Sequence, residues 1–175
     1  MNAKTIVATF LALGLSVTMN AANAPQKTLK TGDKAPAIKA TDQDGKEWKL
    51  ADRLGKKNVL LYFYPKDNTP GCTTQACGLR DSMADLNAGN TEVVGVSFDS
   101  AESHKKFIAG HNLNFTLLAD TDGKIADAFG VRMPERNMAR RVSFLIGKDG
   151  RIIHVTDSPK ADVHLTEMKA KVRGS

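Results

Sequence analysis

The segment Tyr62-Phe63-Tyr64-Pro65-Lys66-Asp67-Asn68-Thr69-Pro70-Gly71-Cys72-Thr73-Thr74-Gln75-Ala76-Cys77 holds both cysteines of the chain and most constrains its fold. Val59 to Tyr64 is a short apolar and aromatic run of the kind that forms a buried strand, and Thr73 to Leu86 reads as a helix. Pro65, Pro70 and Gly71 bend the backbone between them. A strand that turns directly into a helix places Cys72 in the first helical turn, where unpaired N–H groups and the helix dipole favour an anion. A thiolate is such an anion. Complete ionisation of a free thiol at pH 7 raises its thiolate content by at most about 30-fold. Intrinsic nucleophilicity also falls as ionisation becomes easier, so a very fast thiol needs donors aimed at transition-state charge. Thr69 and a distant arginine are the candidates.

Cys77 sharpens the reading. Residues five apart on a helix rise about 7.5 Å and point roughly 140° apart. A disulfide tolerates a Cα separation of no more than ~7 Å, so joining Cys72 to Cys77 requires the helix to unwind. Gly78 follows, and a glycine costs a helix interior about 1 kcal/mol relative to alanine. The segment is therefore expected to melt on oxidation, and Gly78→Ala to slow disulfide closure. A purely structural disulfide is the competing reading, but a loop this short within a helix constrains little of the unfolded chain.

The 175 residues, 41% of them hydrophobic, suffice for one domain with a sizeable core. Lys4, an apolar run from Ile6 to Val17 and small residues through Ala24 have the layout of a secretory signal peptide, with cleavage expected near 22–24. The run is too short for a comfortable membrane span, so no stable insertion is expected after processing. Residues 25–175 then form the exported domain, in a bacterium a periplasmic one. The net charge of +6 is spread with acids interleaved, and no basic block or aromatic platform suggests nucleic acid.

After a leader at Pro25 to Thr31, Asp42-Gln43-Asp44-Gly45 reads as a turn before a short strand around Trp48. Strand Val59 to Tyr64, helix Cys72 to Asn87, strand Glu92 to Phe98, helix Ala101 to Asn112 and strand Phe115 to Leu118 then alternate. Asp122 to Phe129 reads as a short helix and Asp162 to Val172 as a closing one. Val142 to Ile146 and Arg151 to Val155 pair across Gly147-Lys148-Asp149-Gly150, an Asp-Gly hairpin signal. The expected fold is α/β, a mixed sheet flanked by helices.

Pro65-x-x-x-Thr69-x-x-Cys72 resembles the active-site signature of the peroxiredoxins. The four-residue gap to Cys77 is similar to the peroxiredoxin Q type, also called bacterioferritin comigratory protein, an atypical 2-Cys group. Arg141-Val142-Ser143-Phe144-Leu145-Ile146 looks like that family's late strand with its active-site arginine. Strand alternation sends Arg140 and Arg141 to opposite faces, and the resemblance selects Arg141. It covers about Leu29 to Val172.

The resemblance implies a thioredoxin-like fold and reduction of hydrogen peroxide or organic hydroperoxides. Cys72 is the implied attacking thiol and Cys77 the resolving one. Thr69, Arg141 and the Gly71 and Cys72 N–H groups would stabilise charge, with Pro65 and Gly71 lining the substrate position. No cofactor is implied; a thioredoxin-like dithiol protein is the implied reductant, and a monomer the expected state. Gln75 and Leu79 depart from residue types common in the family, and neither is expected to carry chemistry. Val131 to Arg140 lacks the tryptophan and Gly-Glu-Lys commonly found there.

The rival reading is a thiol–disulfide exchange or redox-sensing protein of the same fold. Such proteins use C-x-x-C, whose thiols bond without melting a helical turn, rather than C-x-x-x-x-C. A non-catalytic binding module is a third reading, opposed by the intact Pro65, Thr69, Cys72 and Arg141 set. His104, His111, His154 and His164 lack metal-ligand spacing and read as surface or satisfied core histidines. Asp120-Thr121-Asp122-Gly123 reads as a turn rather than a calcium loop, because Val131 stands where a bidentate Glu is needed.

Overall fold

The computed structural model describes residues 27–133 and 135–173. The expected signal peptide therefore lies outside the described residues. A hairpin of β1 (Lys39–Asp42) and β2 (Glu47–Lys49) comes first, turning at Asp42-Gln43-Asp44-Gly45. Asp42 Oδ1 accepts from the Asp44 and Lys46 N–H groups and closes that turn. β3 (Asn58–Phe63) leads into α1 (Pro70–Asp81) and α2 (Met83–Ala88), followed by β4 (Thr91–Ser97), α3 (Ala101–His111) and β5 (Thr116–Ala119). α4 (Lys124–Ala128), the ribbon β6 (Arg132–Met133) and β7 (Met138–Ala139), β8 (Val142–Ile146), β9 (Ile152–Asp157) and α5 (Ala161–Arg173) complete the chain.

One seven-stranded sheet runs β2-β1-β5-β4-β3-β8-β9, parallel across β3, β4 and β5 and antiparallel elsewhere. β3 is central, and all six of its residues are buried, as a strand covered on both faces requires. Period-2 alternation splits it between two cores. Val59, Leu61 and Phe63 pack with Phe129 and Phe144 on the face of α4; Leu60 and Tyr62, with Tyr64 just beyond the strand, pack with Leu79, Phe107 and Met168 from α1, α3 and α5. This is the thioredoxin-like arrangement of a mixed sheet between helices.

Where the sequence reads one helix from Cys72 to Asn87, the structure has two, broken at Ser82. Ser82 Oγ donates to the Gly78 carbonyl at 2.7 Å, and its N–H turns to Leu79 O; this back-bonding ends the regular ladder. β1 and the β6–β7 ribbon are further additions to the expected elements. The Asp149-Gly150 hairpin forms as expected, with Gly150 at φ +79°. Asp120 proves to be a turn residue, its carboxylate accepting from the Ile125 and Ala126 N–H groups at the start of α4.

Candidate active site

β3 delivers the chain to the turn at 65–69, and α1 starts at Pro70 with Thr69 as its N-cap. Proline suits a first helical position because its missing N–H would be unpaired there anyway. The first bond of α1 runs from Thr73 N–H to Thr69 O at 2.8 Å, which leaves the Gly71 and Cys72 N–H groups outside the helical ladder. Cys72, third in the helix, is 1% exposed, and its thiol is free.

Arg141, immediately before β8, reaches this sulfur from across the sheet. Its Nη2 lies 3.3 Å from Cys72 Sγ. β8 pairs with β3 in a register that sets Val142 opposite Phe63, so the residue before Val142 comes level with the end of β3. Arg140, one residue earlier, turns the other way to Asp157, Thr28 and Gly130 O, as alternation requires. Gly71 gives the guanidinium room, because a Cβ there would stand 3.2 Å from Arg141 Nη2.

Two further groups hold Arg141 in place. Its Nε donates to the Pro159 carbonyl at 3.2 Å and its Nη1 to Gln75 Oε1. Gln75 is fully buried, and its Nε2 has no protein partner. Its Oε1 is the atom that the Arg141 guanidinium uses. The expectation that Gln75 stands apart from the chemistry is therefore corrected: three residues after Cys72 on the same helix, it shares that residue's face. That spacing was the available signal.

Thr69 is at the helix start as expected, but its hydroxyl donates to Lys66 O at 3.0 Å rather than to the sulfur. The hydroxyl hydrogen is thus committed, and the oxygen lone pairs remain for a donor. Pro65 is half-buried at the beginning of the turn. Cys77 is a free, half-buried thiol in the same unbroken α1, five residues beyond Cys72. Helical geometry separates the two by about 7.5 Å along the axis.

His164 supports the same region from behind. It is 1% exposed, its Nε2 donates to Ser158 O at 2.8 Å and its Nδ1 accepts from Ser143 Oγ at 2.8 Å. The carbonyl it fixes is adjacent to the one that receives Arg141. Burial, opposed by the bond to Ser158, holds the ring below the ordinary histidine range. His164 and His104 are thus satisfied core histidines. Among the described residues, no group of three or more His, Cys, Asp or Glu side chains is placed to hold a metal ion, and no helix is long and apolar enough to cross a membrane.

A buried thiol at a helix start, faced by an arginine within a thioredoxin-like sheet, defines a cysteine-dependent redox enzyme. The model of the AhpC/TSA family matches residues 31–155. Peroxiredoxin Bcp of Escherichia coli is 46% identical over 142 residues, covering 78% of this chain and 90% of its own. The crystal structure of peroxidoxin BcpB from Mycobacterium tuberculosis superposes with a TM-score of 0.79 at 32% identity, covering 83% of this chain and 97% of that one. The bacterioferritin comigratory protein of Xanthomonas campestris, described for its alkyl peroxide reduction activity, gives a TM-score of 0.72 at 25% identity, covering 78% and 90%. The chain belongs to the AhpC/TSA family, as a peroxiredoxin of the Bcp or peroxiredoxin Q type.

Proposed function

We propose that this thiol peroxidase reduces hydroperoxides through Cys72 and resolves the product through Cys77. The Cys72 thiolate attacks one peroxide oxygen in line. The O–O bond breaks, the S–O bond forms, and the departing alkoxide or hydroxide takes a proton to leave as alcohol or water. The sulfur is oxidised to a sulfenic acid. Arg141 and the Gly71 and Cys72 N–H groups stabilise the charge moving from sulfur to the leaving oxygen. Thr69, its hydrogen held by Lys66, accepts from the peroxide O–H and orients it.

Cys77 then attacks the sulfenic sulfur, a disulfide forms and water departs. An external dithiol of the thioredoxin type reduces the disulfide and is itself oxidised. The observation that carries the reading is the 3.3 Å contact between Arg141 Nη2 and Cys72 Sγ at the mouth of α1. C-x-x-x-x-C within one helix supports the peroxidase over an exchange protein, whose thiols must bond without unwinding. Organic hydroperoxides are proposed beside hydrogen peroxide, supported by the alkyl peroxide activity of the Xanthomonas relative.

Cys72→Ser tests the assignment. It is expected to abolish peroxide consumption, and a variant that retains it contradicts the mechanism. Lys4, the apolar run and Ala22-Asn23-Ala24 support export to the periplasm, which cell fractionation and N-terminal sequencing of the mature protein test. Light scattering of the purified protein tests the proposed monomer.

A further inference from the structure

Asp67 sits in the turn that carries Cys72, and its side chain is 2% exposed. A buried carboxylate is costly unless several donors satisfy it. Here Tyr64 Oη donates to Oδ1 at 2.7 Å, while Ser103 Oγ donates to Oδ2 at 2.7 Å and His104 Nδ1 at 2.9 Å. Burial pushes the carboxyl upward, yet the donors from His104, Ser103 and Tyr64 outweigh it and hold Asp67 below the usual carboxylate range. The main chain is tied as well: Asp67 N–H donates to Asp99 Oδ2 at 2.9 Å, which also accepts from Ser97 Oγ.

His104, on α3, is fully buried and faces an oxygen at each ring nitrogen. Nδ1 meets Asp67, and Nε2 meets the Leu118 carbonyl of β5 at 3.2 Å. The Asp67 carboxylate can only accept, so the Nδ1 that faces it acts as the donor. The turn is thereby pinned to α3, to β5 and to the end of β4. None of these ties uses a residue of α1, the helix that must unwind for Cys77 to reach Cys72.

We propose that the Asp67–His104 pair is a positioning device for the peroxide step. It holds the 65–69 turn so that Cys72 meets Arg141, and it stays closed while α1 unwinds beyond Cys72. The inference rests on the reading of Cys72 as the attacking thiol.

Rapid mixing of the reduced protein with hydrogen peroxide separates two constants: the second-order consumption of peroxide, and the first-order closure of the disulfide followed by quenching and intact mass. Asp67→Asn preserves volume but turns an NH2 group toward the Ser103 and His104 donors. In a variant folded by circular dichroism, the second-order constant is expected to fall about tenfold or more, because small misplacements of reacting groups are costly. The closure constant is expected to stay within about twofold of wild type, since α1 packing is untouched. His104→Gln is expected to show the same split. An unchanged second-order constant, or an equal fall in both, overturns the proposal. Should Asp67→Asn not fold, Ser103→Ala decides: a smaller fall confined to the second-order constant is expected, and no change overturns it. Slow peroxide consumption by the wild-type protein would instead remove the reading of Cys72, so the two failures are distinguishable.

Discussion

Arg141 places Nη2 3.3 Å from Cys72 Sγ, close enough to donate to the sulfur before reaction. The same guanidinium is held at its other nitrogens by Gln75 and the Pro159 carbonyl. Arg141→Lys keeps the charge but cannot serve three directions at once. The second-order constant with hydrogen peroxide is expected to fall about 100-fold or more, the scale for loss of a transition-state donor. Stopped-flow measurement on the reduced variant checks it; a change below about threefold would contradict the role.

Gly71→Ala puts a Cβ 3.2 Å from Arg141 Nη2, so the guanidinium must give by a few tenths of an ångström where it meets the sulfur. Peroxide reactivity is expected to fall while Tm stays near wild type, because the site is at the exposed start of α1. Parallel kinetics and thermal melts check this.

Gly78 has a reason beyond helix propensity. A Cβ at Gly78 would stand 2.3 Å from Leu165 Cδ1 and 2.9 Å from Cδ2, so the glycine lets α1 seat against α5. The slower closure expected for Gly78→Ala from propensity alone is therefore revised. The substitution is expected to loosen the α1–α5 contact, lower Tm by a few degrees, and leave disulfide closure at least as fast as in wild type. Leu165→Ala in the same chain removes the clash and should recover slower closure through alanine's helix preference. Closure rates and melts of the single and double variants check the pair.

These residues show where the sequence was readable. The strand at Val59, the turn and the start of α1 lie in one contiguous stretch, so local pattern located Cys72, and Asp149-Gly150 located the late hairpin. Arg141 followed from alternation together with the family resemblance. Gln75 is accessible through its helical spacing from Cys72, although its residue type departs from the one common in the family. Thr69 stands at the helix start that the Pro/Gly turn marks, whereas its hydroxyl partner is the Lys66 carbonyl, which no spacing rule supplies. β1, half-exposed and mostly polar, gave no apolar alternation to read. The partners of Gly78 and Asp67 come from α5 and α3, and such contacts between distant segments leave no local signature.

His164 gives the fold a dependence on pH. Its folded value lies below the ordinary 6.5, with burial the largest cause. The unfolded chain binds this proton more readily, so the stability tied to a neutral His164 is full above about pH 6.5 and is lost as pH falls toward the folded value. Asp67 and Glu167, both held below the usual carboxylate range, lose their contributions at lower pH still. His164→Gln is expected to lower Tm near neutral pH but to flatten its decline between about pH 7 and pH 5. An unaltered slope would contradict the assignment.

Cys77→Ser is expected to leave the peroxide step intact and to stop the cycle at the Cys72 sulfenic acid, a gain of one oxygen by intact mass. Excess peroxide should then carry the stalled sulfenic acid onward to the sulfinic acid and inactivate the enzyme. Rapid loss of peroxide by this variant without added oxygen on the protein would remove Cys77 from the resolving role.

The most direct measurement is rapid mixing of the fully reduced wild-type protein with one equivalent of hydrogen peroxide, followed by intact-mass analysis of the product. A fast burst that consumes the peroxide and leaves the protein lighter by two hydrogens, with Cys72 and Cys77 joined, is expected. Consumption at the rate of an ordinary thiol, or a product without that disulfide, would contradict it.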